Sequence, residues 1–315
     1  MKKIIILVSA LLVAQLAGAQ DFMKGSSFTP KKGDFSFGVA YNPMSEFASY
    51  QPEVGGFAGN FVKDMGDYPH QMYFLGIDPK VSFQARYHIS DQWSARASLG
   101  FSGSKVNYKE YIQDDRSFKL DPKTTNREED CIHGNLNGLS IAAELEYTKS
   151  FGKLAFIAGF GAQFAVGGGS MTFDYGNGFG DYNNHAPSTM PYLKIPTAEL
   201  TILNEYGQVG NNGKIANVAY ARPIERYNVG ACKAIAITCN MGIEYFFIGQ
   251  MSITAAVTFA PIAFYFQPQT YTQFEGWNTT DQEVVKFHAL VSPGSSAVLY
   301  GTQNIGVRLG FNYYL

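Results

Sequence analysis

The sequence predicts an all-β fold: an eight-stranded antiparallel up-and-down transmembrane β-barrel with short periplasmic turns and long extracellular loops. Three observations carry this. Eight segments alternate apolar and polar residues with period two, the mark of strands with two unlike faces. Short and long connections alternate strictly between them. The polar face is largely Ser, Gly, Ala and Thr, where a face meeting bulk water would carry Lys and Glu.

The first segment, Phe35 to Tyr41, sets Phe35, Phe37, Val39 and Tyr41 on one face. The second sets Val81, Phe83, Ala85, Tyr87 and Ile89 against Ser82, Gln84, Arg86 and His88. After Ser90-Asp91-Gln92 the third resumes, with Trp93, Ala95, Ala97, Leu99 and Phe101 against Ser94, Arg96, Ser98 and Ser102. The fourth runs from Leu139 to Thr148, the fifth from Leu154 to Val166, the sixth from Ala231 to Phe246 and the seventh from Met251 to Tyr265. The eighth closes the chain, with Ile305, Val307, Leu309, Phe311 and Tyr313 against Asn304, Gly306, Arg308, Gly310 and Asn312.

Ser90 to Gln92, Ser150 to Lys153 and Phe247 to Gln250 read as tight hairpins. Asn42 to Gly76, Lys105 to Gly138, Gly167 to Gly230 and Phe266 to Thr302 read as long loops. In a meander this puts every tight turn and both termini at one end. The segment lengths suit tilted spanning strands, which need about 9–11 residues. Aromatics gather near the segment ends, as interface girdles do: Tyr87, Trp93, Tyr147, Phe151, Tyr245 and Tyr313 at one end, Tyr41, Phe101, Phe164 and Phe264 at the other. A secreted barrel or sandwich with the same alternation turned inside out is the alternative. The weakly charged polar face argues against it.

The first 19 residues read as a signal peptide: Lys2 and Lys3, an apolar run from Ile4 to Leu16, then Ala17-Gly18-Ala19. Residues 20–33 are then a short periplasmic N-terminal segment and 34–315 the barrel. Charged residues make up 16% of the chain, against about 25% in typical soluble proteins. The net charge of −2 gives no footprint for nucleic acid. Three cysteines are too few for a disulfide scaffold.

The signal peptide, the YHISDQW hairpin and the terminal strand NIGVRLGFNYYL resemble the small eight-stranded bacterial outer-membrane barrels of OmpX, OmpA and OmpW type. The Ala-Gln cleavage site and aromatic-rich ending are similar to those of Bacteroidota. The last residue is Leu315, where such proteins typically end in Phe. The resemblance covers residues 34–315 as architecture. It implies location in the bacterial outer membrane, with lipid and the barrel-assembly machinery as partners. Long-looped barrels of this size in that phylum include a component of the protein secretion apparatus.

Six charges fall on the lumen face: Arg86, Arg96, Arg308, Glu144, Glu146 and Glu244. All lie roughly four to seven positions above the periplasmic end. An eight-stranded barrel encloses only its own side chains, and an unpaired buried charge costs several kcal/mol. The six are therefore expected to form a balanced network closing the lumen, with Arg96–Glu146 as one bridge at nearly equal height.

Elsewhere the chemistry is sparse. Of the histidines, His88 is on the lumen face, and His70, His133, His185 and His288 fall in four different long loops. No Ser–His–Asp order or paired-acid spacing accompanies them, so no catalytic, cofactor or metal site is expected and the protein is read as not an enzyme. The run from Asp174 to Asn184 invites a calcium reading, but its oxygen donors and glycines do not match the loop pattern. It reads as a loop tip, which makes Gly167 to Gly230 the best candidate surface for a protein partner. Cys131 and Cys232 both belong to the external end and are the candidate disulfide, while Cys239 lies mid-strand facing lipid. The expected role is a structural or interaction scaffold presenting large loops, as a subunit of an envelope or secretion complex. The alternatives are a narrow passive channel for small or apolar solutes and a loop-borne enzyme.

Overall fold

The computed structural model describes residues 28–43, 79–196, 217–301 and 305–315. The expected signal peptide, residues 20–27, His70, most of the first long connection and residues 197–216 lie outside the described residues.

Along the described chain the strands are β1 (Phe35–Tyr41), β2 (Val81–His88), β3 (Trp93–Gln113), β4 (Arg127–Phe151), β5 (Leu154–Asp174), β6 (Ile195–Pro196) and β7 (Tyr220–Asn228). They continue as β8 (Cys232–Ile248), β9 (Met251–Gln267), β10 (Thr270–Asn278), β11 (Glu283–Ser292), β12 (Ser295–Tyr300) and β13 (Ile305–Tyr314). One short helix, α1 (Asp115–Leu120), caps the connection from β3 to β4. No helix among the described residues is long and apolar enough to cross a membrane.

Eight strands close a ring in the order β1-β2-β3-β4-β5-β8-β9-β13 and back to β1, every neighbour antiparallel. The closing pair runs from Ser36↔Tyr314 to Tyr41↔Leu309. These are the eight segments the alternation predicts. Closure matters because hydrocarbon offers no hydrogen bonds to an open sheet edge.

The ring is inside out relative to a soluble protein. Phe83, Leu99, Phe160, Ile237, Val257 and Phe311 point outward and are exposed, while Arg86, Arg96, Glu146, Glu244 and Arg308 point inward and are buried. Two of the tight turns hinge on glycines in the left-handed region, Gly152 at φ 63° and Gly249 at φ 47°. The turn from β4 to β5 is Gly152-Lys153 alone, because β4 continues to Phe151.

At the other end the strands overrun the sequence-based boundaries. Of residues 105–138, expected as a loop, 105–113 and 127–138 form the upper part of one antiparallel ladder from Trp93↔Tyr147 to Gln113↔Arg127. The period-two pattern persists there, but its polarity reverses. The outward face is Leu99 and Phe101 opposite Ile141 and Leu139, then turns to Lys105, Asn107 and Lys109 opposite Asn135, His133 and Cys131. The inward face of β4 changes the opposite way, from Glu146, Glu144 and Ser140 to Leu136 and Ile132. β5 repeats this switch, from inward Gly159, Gly161 and Gln163 to inward Met171 and Phe173. The reversal marks where the ladder leaves the apolar belt and becomes an ordinary water-facing sheet. Within the other long connections, β7, β10 and β11 form a sheet attached to upper β5, and β12 pairs with the end of β9. Residues 266–301 are therefore mostly strand and not loop.

Candidate functional site

The lumen is stacked in layers. At the periplasmic mouth Tyr314 and Phe246 lie 5.5 Å apart, and Phe28 packs beneath both at 5.7 Å from Phe246 and 5.2 Å from Tyr314. His88 is buried beside Tyr314.

The six charges lie directly above. Arg86 reaches Glu146 through Nε at 2.8 Å and Glu244 through a terminal nitrogen at 2.8 Å. It also donates to the Tyr314 hydroxyl at 2.7 Å, and that hydroxyl donates to Glu244 at 3.0 Å. Arg96 contacts Glu144 and lies 3.2 Å from Glu146. Arg308 lies 3.7 Å from Glu144. In register Arg96 stands opposite Glu144, and Ser94 opposite Glu146. The Arg96–Glu146 pair is thus diagonal, and the expectation of equal height is corrected: the strand register sets Glu144, two residues before Glu146, directly across from Arg96.

Neutral donors complete the carboxylates. Asn240 and Thr238 donate to Glu144 at 2.9 Å and 3.2 Å. Asn312 donates to Glu244 at 3.1 Å, and the Ser252 hydroxyl also donates to Glu244. Buried charge is tolerated where ion pairs and neutral hydrogen bonds together replace its water. Glycines make the room: a Cβ on Gly161 would lie 2.6 Å from Glu144 Cα, and one on Gly159 2.7 Å from the Asn240 amide. Above the charges the inner wall formed by β4, β5, β8 and β9 is apolar and made mostly of small residues, Ala165, Ala234, Ala236, Ala260 and Ala263, with Leu136 and Tyr265.

The candidate disulfide is not formed; none of Cys131, Cys232 and Cys239 is in a disulfide. Cys131 pairs in register with Asp174 and Cys232 with Gly167. Seven residues of β5 separate those levels, about 23 Å at 3.3 Å per residue, far beyond disulfide reach. Overrun of β4 into the external region carries Cys131 away from the rim. The same overrun puts His133 on β4, where it meets Asn107 at 2.8 Å and Asp174 at 3.0 Å. His288 is on β11 rather than in a loop. Among the described residues no group of three His, Cys, Asp or Glu side chains is arranged to hold a metal ion.

The external segment after β5 is tightly pinned. Asp130, fully buried, accepts from Gly176 N at 3.1 Å, Thr189 Oγ1 at 2.6 Å and Met190 N at 3.0 Å. Asp115 accepts from the Asn183 amide at 2.9 Å and Ser188 N at 2.8 Å. Beneath them Ile132, Met171, Phe173, Met190 and Leu193 form a small apolar core. Arg222 lies between Tyr175 and Phe179, 4.0 Å and 4.7 Å from their rings, and pairs with Glu275 at 2.8 Å. Burial pushes the Tyr175 phenol well above its ordinary range, with the Arg222 guanidinium opposing.

These elements enclose a cavity of about 290 Å³ between the loop 179–194, β7 and β10. Trp277, His185, Tyr220, Lys194, Arg222 and Glu275 line it. Sequence reasoning pointed to the 167–230 region but missed β10, because the lining residues come from segments far apart in the chain.

An apolar outer belt, a charged and filled lumen, tight turns at one end and an extended sheet at the other define a transmembrane β-barrel of the bacterial outer membrane. No family model and no curated protein matches the sequence. Among solved structures the chain is similar to the outer membrane protein OprG of Pseudomonas aeruginosa, at 12% identity and TM-score 0.31, covering 90% of this chain and 97% of that one. It is similar to Ail, the attachment invasion locus protein of Yersinia pestis, at 9% identity and TM-score 0.29, covering 90% and 99%. A major outer membrane protein of Thermus thermophilus aligns at 10% identity and TM-score 0.30, covering 90% and 99%.

Proposed function

We propose that the protein is a non-conducting, non-enzymatic scaffold of the outer membrane that holds an ordered extracellular module toward a partner, as a subunit of a larger envelope or secretion assembly. The observation that carries this reading is the filled lumen. Arg86, from β2, meets Glu244, from β8 on the far side of the ring, and Arg96, Arg308, Glu144 and Glu146 join them in one buried ion-pair network. A barrel of eight strands with its interior crossed by side chains offers no continuous water path. The extracellular module is the other half of the reading: β7, β10 and β11 form a sheet beside the segment that Asp130 and Asp115 pin.

Planar-bilayer recording of the purified protein tests it. The expected trace shows no steady conductance. A steady open channel of porin-like conductance would overturn the scaffold reading in favour of a narrow passive conduit. Co-purification in mild detergent tests the partner: a stoichiometric companion protein supports the assembly role, and a lone barrel under every mild extraction removes it.

A further inference from the structure

We propose that the extracellular cavity between the 179–194 loop, β7 and β10 is a binding site for a neutral saccharide, with Tyr220 and Trp277 as its aromatic surfaces and Glu275 as its principal hydroxyl acceptor. The proposal rests on the functional reading only in placing this face outside the cell. It does not depend on whether the lumen conducts.

The site is built before any ligand arrives. His185 lies flat on Trp277, with ring centroids 3.7 Å apart and planes 3° from parallel. It is held there by two successive non-glycine residues in left-handed backbone, Asn184 at φ 50° and His185 at φ 55°. That conformation is uncommon outside glycine, and Asn and His are among the residues that adopt it most readily. Asp181 holds the imidazole from its other edge, with Nε2 at 3.0 Å. The stacked His185–Trp277 pair is thereby locked as one wall, with the indole face away from His185 left for a ligand. Tyr220, half exposed, forms another, with the Lys194 ammonium 5.2 Å from its ring centre.

The chemistry of the lining selects the ligand class. At the base, Arg222 engages Oε1 of Glu275 at 2.8 Å, which leaves Oε2 to accept from a ligand hydroxyl. Lys194 supplies a donor at the rim. Among the lining residues Glu275 opposes an anionic ligand, and Lys194 and Arg222 oppose a cationic one. A purely apolar ligand would cover the Arg222–Glu275 pair without replacing its water, which is costly. A pyranose suits both halves: its C–H face packs on an aromatic ring, and its hydroxyls donate and accept along the edge. The cavity of about 290 Å³ has room for one or two such rings.

The chain has two tryptophans, Trp93 and Trp277. Trp93→Phe therefore leaves Trp277 as the sole indole, a reporter inside the cavity. The full-length variant is purified in lauryldimethylamine oxide, which has no sugar headgroup. It is then titrated with methyl glucoside, methyl galactoside, methyl mannoside, methyl N-acetylglucosaminide, maltose and lactose. At least one should give a saturable change in Trp277 emission, half-maximal on the order of millimolar. Tyr220→Ala and Glu275→Gln should each weaken it by about tenfold or more, with barrel circular dichroism retained. No saturable change with any of the six would overturn the proposal. So would a response unchanged in both variants, or inorganic sulfate saturating at lower concentration than every neutral sugar. Bilayer conductance, measured on the same sample, reports on the lumen alone, so failure of the site and failure of the scaffold reading are distinguished.

Discussion

Arg86 and Glu244 stand on β2 and β8, four strands apart in a ring of eight, and their side chains meet at 2.8 Å. They are diametrically opposed. A contact of this kind converts a cylinder into a filled body. Arg86 also holds Glu146 on β4, so one guanidinium ties three strands together across the interior.

Removing one member of this balanced set should cost more than removing a pair. Arg86→Met leaves Glu146 and Glu244 with excess negative charge in a buried lumen, a loss of about 3–5 kcal/mol. Arg86→Met with Glu244→Gln restores two cations against two acids and should recover much of it. The urea midpoint of detergent-folded protein, read by gel mobility of unheated samples, reports the difference. Equal midpoints would mean that the charges are separately hydrated.

Lipid exposure makes Leu99 and Ser98 unequal neighbours, since Leu99 is 44% exposed on the outer belt and Ser98 points inward. Leu99→Arg should block assembly, at about 2–4 kcal/mol for an arginine near the bilayer midplane. Ser98→Arg should assemble better. Matching defects in outer-membrane fractions would count against the register.

The orientation has a direct readout in trypsin treatment of intact cells. Lys119 and Lys123 are exposed at the top of the hairpin between β3 and β4, while Lys149 and Lys153 flank the opposite turn. Of these two pairs, only the first should be cut. Fragments ending at Lys149 or Lys153 from sealed cells would invert the topology.

Lumen space is limiting at Gly161, where a Cβ would also lie 2.7 Å from Glu144 Cγ. Gly161→Val should lower stability by about 1–3 kcal/mol through overpacking. Ala162→Val, the next residue and outward-facing, should be close to neutral. Similar denaturation midpoints for the two variants would argue for a roomy lumen.

Asp114 caps α1, accepting from Ser117 Oγ and from the backbone N–H groups of Ser117 and Arg116. The Ser117 hydroxyl and these N–H groups hold its carboxyl below the ordinary 3.8. A lowered folded value gives a contribution present above the unfolded value and lost as pH falls through the folded one. Amide exchange at Arg116 and Ser117 should therefore accelerate, relative to intrinsic rates, as pH drops below 3.8, and Asp114→Asn should flatten that dependence. An unchanged profile in Asp114→Asn would show that the cap does not titrate there.

Much of the barrel was legible in the sequence because lipid imposes one rule on every spanning residue. Phe83, Leu99 and Phe311 must face out, and Arg86, Arg96 and Glu146 must face in, so the alternation gives both strand and side. The tight turns were legible for the same reason, as interruptions of that rule at Ser90–Gln92 and Ser150–Lys153, the second shortened by the structure to Gly152–Lys153. The upper halves of β3, β4 and β5 were not. Beyond Phe101 and Leu139 the outward residues become Lys105, Asn107 and Asn135, which resemble loop composition until the ladder shows them paired.

What the sequence by itself determined is therefore the eight-segment ring, the face of each side chain within the lipid-spanning belt and the presence of six lumen charges. What only the tertiary structure decided is which charge meets which, and where the external pocket lies. Period two assigns a residue to a face but not to a partner across the lumen. Arg86 meets Glu244 because ring closure and strand register bring opposite walls to one height. Trp277 and His185 stack because β10 returns beside a loop some ninety residues earlier in the chain. Both are contacts between segments whose local patterns are independent, so only the folded chain brings them together.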